Sequence, residues 1–176
     1  MSDSGTVGTI LYTQEDIWEK ANELGKQITE DYKDKDLILI GTLRGAVMWM
    51  ADMMRNIDLD MQIDFISASS YGGGTTSSGN VVIKMDVGLD VSGKDILIIE
   101  DIIDSGNTLK YLKDYFKNRN AASVKICTML DKPSRRVADV YGDYIGFTVD
   151  DLFIVGYGLD YDQKYRNLPY ITYLEA

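Results

Sequence analysis

The chain has 176 residues, 45% of them apolar and 26% charged, with 28 Asp and Glu against 18 Lys and Arg, no His and one Cys. A chain of this length buries about 70% of the surface its unfolded form exposes, so a single domain over residues 1–176 needs no disulfide or metal staple. The formal net charge of −10 repels nucleic-acid backbones and anionic membranes at long range, and one cysteine excludes a disulfide framework or a thiolate metal cluster within the chain.

No run of about 18 apolar residues occurs, and Met1 to Gly8 lacks the basic start and apolar centre of a secretory signal. The expected compartment is the cytoplasm. Thr13 followed by Glu15 and Asp16 reads as a helix N-cap with early acids, and Ile17, Ala21, Leu24 and Ile28 keep one apolar face. Asp36 to Ile40 reads as a buried strand, Gly41 to Gly45 as a tight turn, and Ala46 to Met54 as a helix apolar almost all round. Its methionines are expected to fill gaps in a core.

Met61 to Ile66 and Val81 to Met85 alternate like strands, separated by the glycine- and hydroxyl-rich stretch from Tyr71 to Asn80, which is looser than a hairpin requires and is expected to act as a lid. Ile96 to Ile99 reads as a buried strand, Leu109 to Lys117 as a helix, and Val124 to Leu130 as a strand enclosing an inert Cys127. Short apolar segments at Tyr144 to Phe147 and Phe153 to Val155 are expected to complete the sheet. Alternation of strand and helix predicts an α/β fold with a mostly parallel central sheet flanked by helices.

The stretch from Asp95 to Thr108 carries the chemistry. An apolar strand ends in Glu100 and Asp101, then passes through Ile102, Ile103 and Asp104 into the turn Ser105-Gly106-Asn107-Thr108. Glycine lets successive N–H groups converge on an anion, and the next helix presents its positive end there. The same spacing also fits a plain helix cap by Asp104 and Ser105. Two acids ending an apolar strand are costly if buried unpaired, so they call for hydroxyls, a cation or a metal. Carboxylates beside a phosphate cradle suit sugar hydroxyls and Mg²⁺, which takes oxygen ligands. The implied ligand is a phosphorylated sugar.

Residues 98–109 resemble the phosphoribosyl-diphosphate motif of the type I phosphoribosyltransferases, in the form found in the hypoxanthine-guanine type. Leu43-Arg44-Gly45 is similar to the family's diphosphate-binding turn, Ser70-Tyr71 to its mobile loop, and Phe153 to Tyr161 to its purine-site segment, while Arg166 matches a diphosphate-contacting arginine. The resemblance implies that fold, with a small hood formed by the termini, and a purine-salvage transferase making IMP or GMP from 5-phosphoribosyl 1-diphosphate. It implies that Glu100 and Asp101 serve the ribose hydroxyls directly or through Mg²⁺, that Ile102 and Ile103 line the site, and that Ser105 to Thr108 cradle the 5′-phosphate. Asp104 would take the proton from the purine at N7, and Asp160 would hold a second Mg²⁺. Phe153 would stack on the base and Ile154 offer it backbone groups. By residue type alone, Phe153 reads as core, Arg166 as a solvated charge and Asp160 as a turn residue.

The resemblance further implies small-molecule substrates, no nucleic-acid or membrane partner, and assembly as a homodimer or homotetramer, to which the seven tyrosines after residue 140 could contribute. One departure concerns the base. Many relatives have lysine where Tyr141 stands, which leaves a xanthine- or other-base-preferring transferase as an alternative. A regulator sensing phosphoribosyl diphosphate is the other alternative, opposed by the short segment before the first strand, the acidic charge and the presence of Asp104.

Overall fold

The computed structural model describes residues 5–71 and 80–175, with Tyr71 described through its backbone alone. The strands are β1 (Thr6–Val7), β2 (Leu37–Thr42), β3 (Gln62–Tyr71), β4 (Asn80–Met85), β5 (Asp95–Ile103), β6 (Ser123–Asp131), β7 (Tyr144–Thr148), β8 (Ile154–Val155) and β9 (Thr172–Glu175). The helices are α1 (Gln14–Asp31), α2 (Val47–Asn56) and α3 (Asn107–Asn118), with a 3₁₀ turn at Pro133–Arg135.

Six strands form one sheet in the order β4-β3-β2-β5-β6-β7, parallel throughout except where β4 pairs antiparallel with β3. The apolar runs of β2 and β5 put alternate residues on opposite faces, as the pleat requires. Leu37, Leu39, Leu97 and Ile99 pack with Ile17, Leu24 and Ile28 of α1 and with Trp49, Met50 and Met53 of α2. Ile38, Ile40, Ile96 and Ile98 pack on the other face with Leu109, Leu112 and Phe116 of α3. Both faces are thereby covered, which is the condition for a parallel sheet.

Helix α1 starts as its sequence predicts. Asp16 N–H donates to the Thr13 hydroxyl at 3.2 Å while Thr13 N–H donates to the Asp16 carboxylate at 2.9 Å, a reciprocal capping box. The methionine reading also holds, since Met50 and Met53 are buried and Met48 and Met54 pack against the same core. One boundary differs. Strand β2 runs on through Thr42, because parallel pairing with β3 carries it past Gly41, placing Thr42 opposite Ile66. Helix α2, apolar almost all round as expected, buries one acid, Asp52, which accepts from the Tyr157 hydroxyl and, at 2.6 Å, from Arg55.

A second, antiparallel sheet of β1, β9 and β8 joins the two ends of the chain to the segment after β7, matching the expected hood. Strands β3 and β4 are antiparallel up to the pair Tyr71 and Asn80. Of the expected lid, Tyr71 to Asn80, the two end residues are that pair and residues 72–79 lie outside the described residues. No described helix is long and apolar enough to cross a membrane.

Candidate active site

The site forms where β2 and β5 end and α2 and α3 begin, the place where parallel sheets collect ligands. Neither helix has a side-chain cap. Ala46 is the N-cap of α2, and Gly106, at φ 82°, is the N-cap of α3. Their first N–H groups are therefore left to other acceptors. The plain-cap reading of the Asp104 turn is not borne out, for Asp104 caps nothing and Ser105 Oγ receives Asn107 N–H at a long 3.4 Å.

One cleft of about 240 Å³ is lined by Leu43 and Gly45 on one wall, by Glu100 to Asp104 along its floor, and by Ser105, Gly106 and Thr108 at its end. Thr42 Oγ1 donates to Glu100 Oε1 at 2.6 Å, and Asp101 N–H donates to the same oxygen at 2.9 Å. Burial, and next the neighbouring Asp101 carboxylate, holds the Glu100 carboxyl well above the ordinary range for a glutamate. The pair thus gains from any cation or hydroxyl donor that enters. Asp101 reaches so close to the opposite turn that a Cβ on Gly45 would lie 1.8 Å from its Oδ2. Gly45 is needed for that approach, and a Cβ on Gly158, at φ 100°, would in turn strike Gly45 O at 2.1 Å.

A second cleft, of about 520 Å³, shares Ile102, Asp104 and Ser105 with the first and is closed by Phe153, Ile154, Leu159, Asp160, Lys132 and Arg135. Phe153 is 55% exposed with its ring edge-on to Tyr161, centroids 5.5 Å apart, so it is a face open to a ligand and not core. Asp104 lies on the seam, its side chain 56% exposed. The two clefts together suit a ligand with one flat apolar end and one anionic end.

Arg44, Asn107 and Arg166 do not line either cleft. Arg44 and Arg166 converge on Gln163 Oε1, at 3.1 and 3.0 Å, and Arg166 also pairs with Asp160 at 3.1 Å and donates to Gly158 O at 2.6 Å. Arg166 is therefore a bonded cation at the site's edge and not a solvated charge. Asn107 is the first residue of α3. The peptide between Leu43 and Arg44 is cis. The three acids expected to bind metal do not form one cluster, and among the described residues no group of three potential ligands is close enough for one ion. Glu100 and Asp101 stand together, while Asp160 is held apart by Arg166 and by the N–H of Gln163 at 2.9 Å.

The model of the phosphoribosyl transferase domain matches residues 8–162. The chain belongs to that family. It is 54% identical over 166 residues to the hypoxanthine-guanine phosphoribosyltransferase of Streptococcus thermophilus (strain CNRZ 1066), covering 94% of this chain and 92% of the relative. Among solved structures it resembles a hypoxanthine phosphoribosyltransferase from Staphylococcus aureus, with a TM-score of 0.93 and 47% identity over 96% of this chain and 92% of that one. A hypoxanthine-guanine phosphoribosyltransferase from Bacillus anthracis gives a TM-score of 0.92 at 44% identity, covering 97% of this chain and 100% of that one.

Within this phosphoribosyl transferase domain the buried cation lining the second cleft is Lys132, which sequence reasoning missed. It is 7% exposed, donates to Leu152 O at 2.8 Å and lies 3.5 Å from Asp104 Oδ1. Its signal in the sequence was weak. A lysine in Asp131-Lys132-Pro133-Ser134-Arg135-Arg136 reads as one more surface charge, and only the return of the 149–152 segment buries it. Tyr141, which stands where many relatives have lysine, is 66% exposed and lines neither cleft, its ring lying instead near the Arg136 guanidinium at 5.8 Å.

Proposed function

We propose that the protein transfers the 5-phosphoribosyl group of 5-phosphoribosyl 1-diphosphate to N9 of hypoxanthine and guanine, releasing diphosphate and giving IMP and GMP for purine salvage. The observation that carries this is the position of Asp104, shared between a cleft ending in an anion cradle and a cleft walled by Phe153 and Lys132. The purine stacks on Phe153, backbone groups of Ile154 meet its edge, and Lys132 donates to the 6-oxygen. A lysine can only donate, so it suits a 6-oxopurine and mismatches the amino group of adenine. Asp104 takes the proton that the ring sheds as N9 attacks C1′.

At the other end, N–H groups and hydroxyls of Ser105 to Thr108 hold the 5′-phosphate, and Glu100 and Asp101 hold the ribose hydroxyls. Leu43, Arg44 and Gly45 face the diphosphate, with Arg166 opposing charge that grows on it as the bond to C1′ breaks. Tyr71 stands at the end of β3, where the 72–79 segment begins. The donor chemistry suits Mg²⁺: carboxylate oxygens with no nitrogen or sulfur ligand, in pairs and singly, leaving positions for substrate oxygens. Glu100 and Asp101 would hold one ion and Asp160 another, and bound Mg²⁺ supplies positive charge against the diphosphate.

The chain acts as one phosphoribosyltransferase domain over residues 1–176, in the cytoplasm, and assembles as a homodimer or homotetramer. The deciding experiment is turnover with hypoxanthine, guanine, xanthine and adenine, each with 5-phosphoribosyl 1-diphosphate and Mg²⁺. Nucleotide formation from the first two is expected, and its absence with every base would overturn the assignment.

A further inference from the structure

A cradle of backbone N–H groups works only if the peptide planes are turned the right way. In a trans peptide the C=O and the following N–H point in opposite directions, so whatever grips the carbonyl on one side aims the N–H to the other. Two carbonyls of the phosphate turn are gripped from behind. Arg136 Nε donates to Asp104 O at 3.1 Å, and the N–H groups of Val137 and Ala138 donate to Ser105 O at 2.9 and 3.0 Å. The N–H groups of Ser105 and Gly106 consequently face the cleft, and neither has a protein acceptor among the described residues.

Of these grips, only that of Arg136 comes from a side chain. Its guanidinium, on a side chain 9% exposed, also donates to Val140 O at 2.8 Å and is paired with Asp131, whose side chain is 12% exposed. Its Cδ lies 3.0 Å from where a Cβ on Gly106 would stand, so the stem packs on the back of the turn. Tyr141 shelters the outer face of the same guanidinium. Three fixed acceptors leave the planar fork little freedom, which suits arginine and not lysine.

We propose that Arg136 is the positioning residue of the phosphate cradle: by holding the Asp104 carbonyl from behind, it turns the Ser105 N–H toward the 5′-phosphate and fixes the backbone from which the Asp104 carboxylate projects. This rests on the phosphoribosyl-transfer assignment above. The alternative is a buried ion pair with Asp131 that supports only the fold. Asp131→Asn separates the two, because it removes the ion pair yet leaves Nε on Asp104 O, whereas Arg136→Lys cannot satisfy all three acceptors.

The test compares wild type, Arg136→Lys, Arg136→Gln and Asp131→Asn in thermal unfolding, calorimetric binding of IMP, binding of inorganic diphosphate with Mg²⁺, and turnover with hypoxanthine. Both Arg136 variants should lose about tenfold or more in IMP affinity and in kcat, the scale of one charge-assisted bond or a misplaced reacting group, with diphosphate affinity changed less than about threefold. Asp131→Asn should melt lower while its IMP affinity and kcat stay within about threefold of wild type. The proposal fails if a folded Arg136 variant keeps wild-type IMP affinity and kcat, or if Asp131→Asn loses both as fully. Failure of wild type to bind IMP or to turn over would instead sink the assignment on which the proposal rests.

Discussion

The ammonium nitrogen of Lys132 lies 3.5 Å from a carboxylate oxygen of Asp104, and the two residues come from neighbouring parallel strands that end side by side. The pair sets a proton donor in the second cleft beside a proton acceptor on the seam between the two clefts. A purine bridging them would present its N7 proton to the Asp104 carboxylate and its 6-oxygen to the Lys132 ammonium. Asp104→Asn keeps the shape and removes the acceptor, so turnover should fall by roughly two to four powers of ten, the usual span for a general base. Steady-state kinetics beside a melting curve checks this. A variant that turns over normally would reduce Asp104 to a partner of Lys132.

Lys132→Met should lower kcat/KM for hypoxanthine by roughly tenfold to a hundredfold, the worth of one charged hydrogen bond, while leaving the adenine rate unchanged or higher. Tyr141→Lys, by contrast, should leave the ratio of hypoxanthine to adenine within about twofold, because a side chain outside both clefts cannot read the base. Specificity constants for both bases in both variants settle which position discriminates.

Gly45→Ala tests the close approach of the two walls. The new Cβ would stand 1.8 Å from Asp101 Oδ2, so either that carboxylate swings away from Ile102 N–H, its donor at 2.7 Å, or the turn retreats. KM for 5-phosphoribosyl 1-diphosphate should rise at least about tenfold while KM for hypoxanthine holds, since misplacement is confined to the sugar side. An unchanged KM would mean that the gap between the walls plays no part in binding.

Cys127 is fully buried in β6, and burial pushes its thiol up to about 12. A thiol held that far from ionising is a poor nucleophile. Alkylation by iodoacetamide at neutral pH should be undetectable in the folded protein and complete in denaturant, as read by mass. Ready alkylation of the native protein would show that β6 opens.

The sequence made the central unit legible because each of its signals is local. The apolar run of β5, the acids that end it and the glycine of the turn lie within a dozen residues, and the capping box of α1 is equally short-range. What stayed hidden depends on distant chain. Strand β1 has two residues and exists only through pairing with β9, and the apolar segment from Phe153 to Val155, expected to complete the central sheet, pairs instead with β9 in the hood as β8. Lys132 and Arg166 carry charges that composition assigns to solvent, yet the carbonyls of Leu152 and Gly158 hold them at the site. Asp52 was hidden for the same reason, as one polar letter in an apolar helix.

That buried Asp52 gives the last prediction. Burial, the largest influence, raises its carboxyl above the ordinary value of 3.8, with the bonds from Tyr157 and Arg55 only partly offsetting it. Between 3.8 and the raised native value, the folded chain binds more protons than the unfolded one. Stability contributed by this group is thus fully present below 3.8, is lost as pH rises through that window, and stays lost above it. Asp52→Asn removes the titration while its amide oxygen still accepts from the Tyr157 hydroxyl. The variant should therefore gain stability relative to wild type as pH climbs from below 3.8, with the difference levelling off toward neutrality. Urea unfolding of both proteins across that range measures it, and two curves that run parallel through the window would show that Asp52 titrates alike in the folded and unfolded chain.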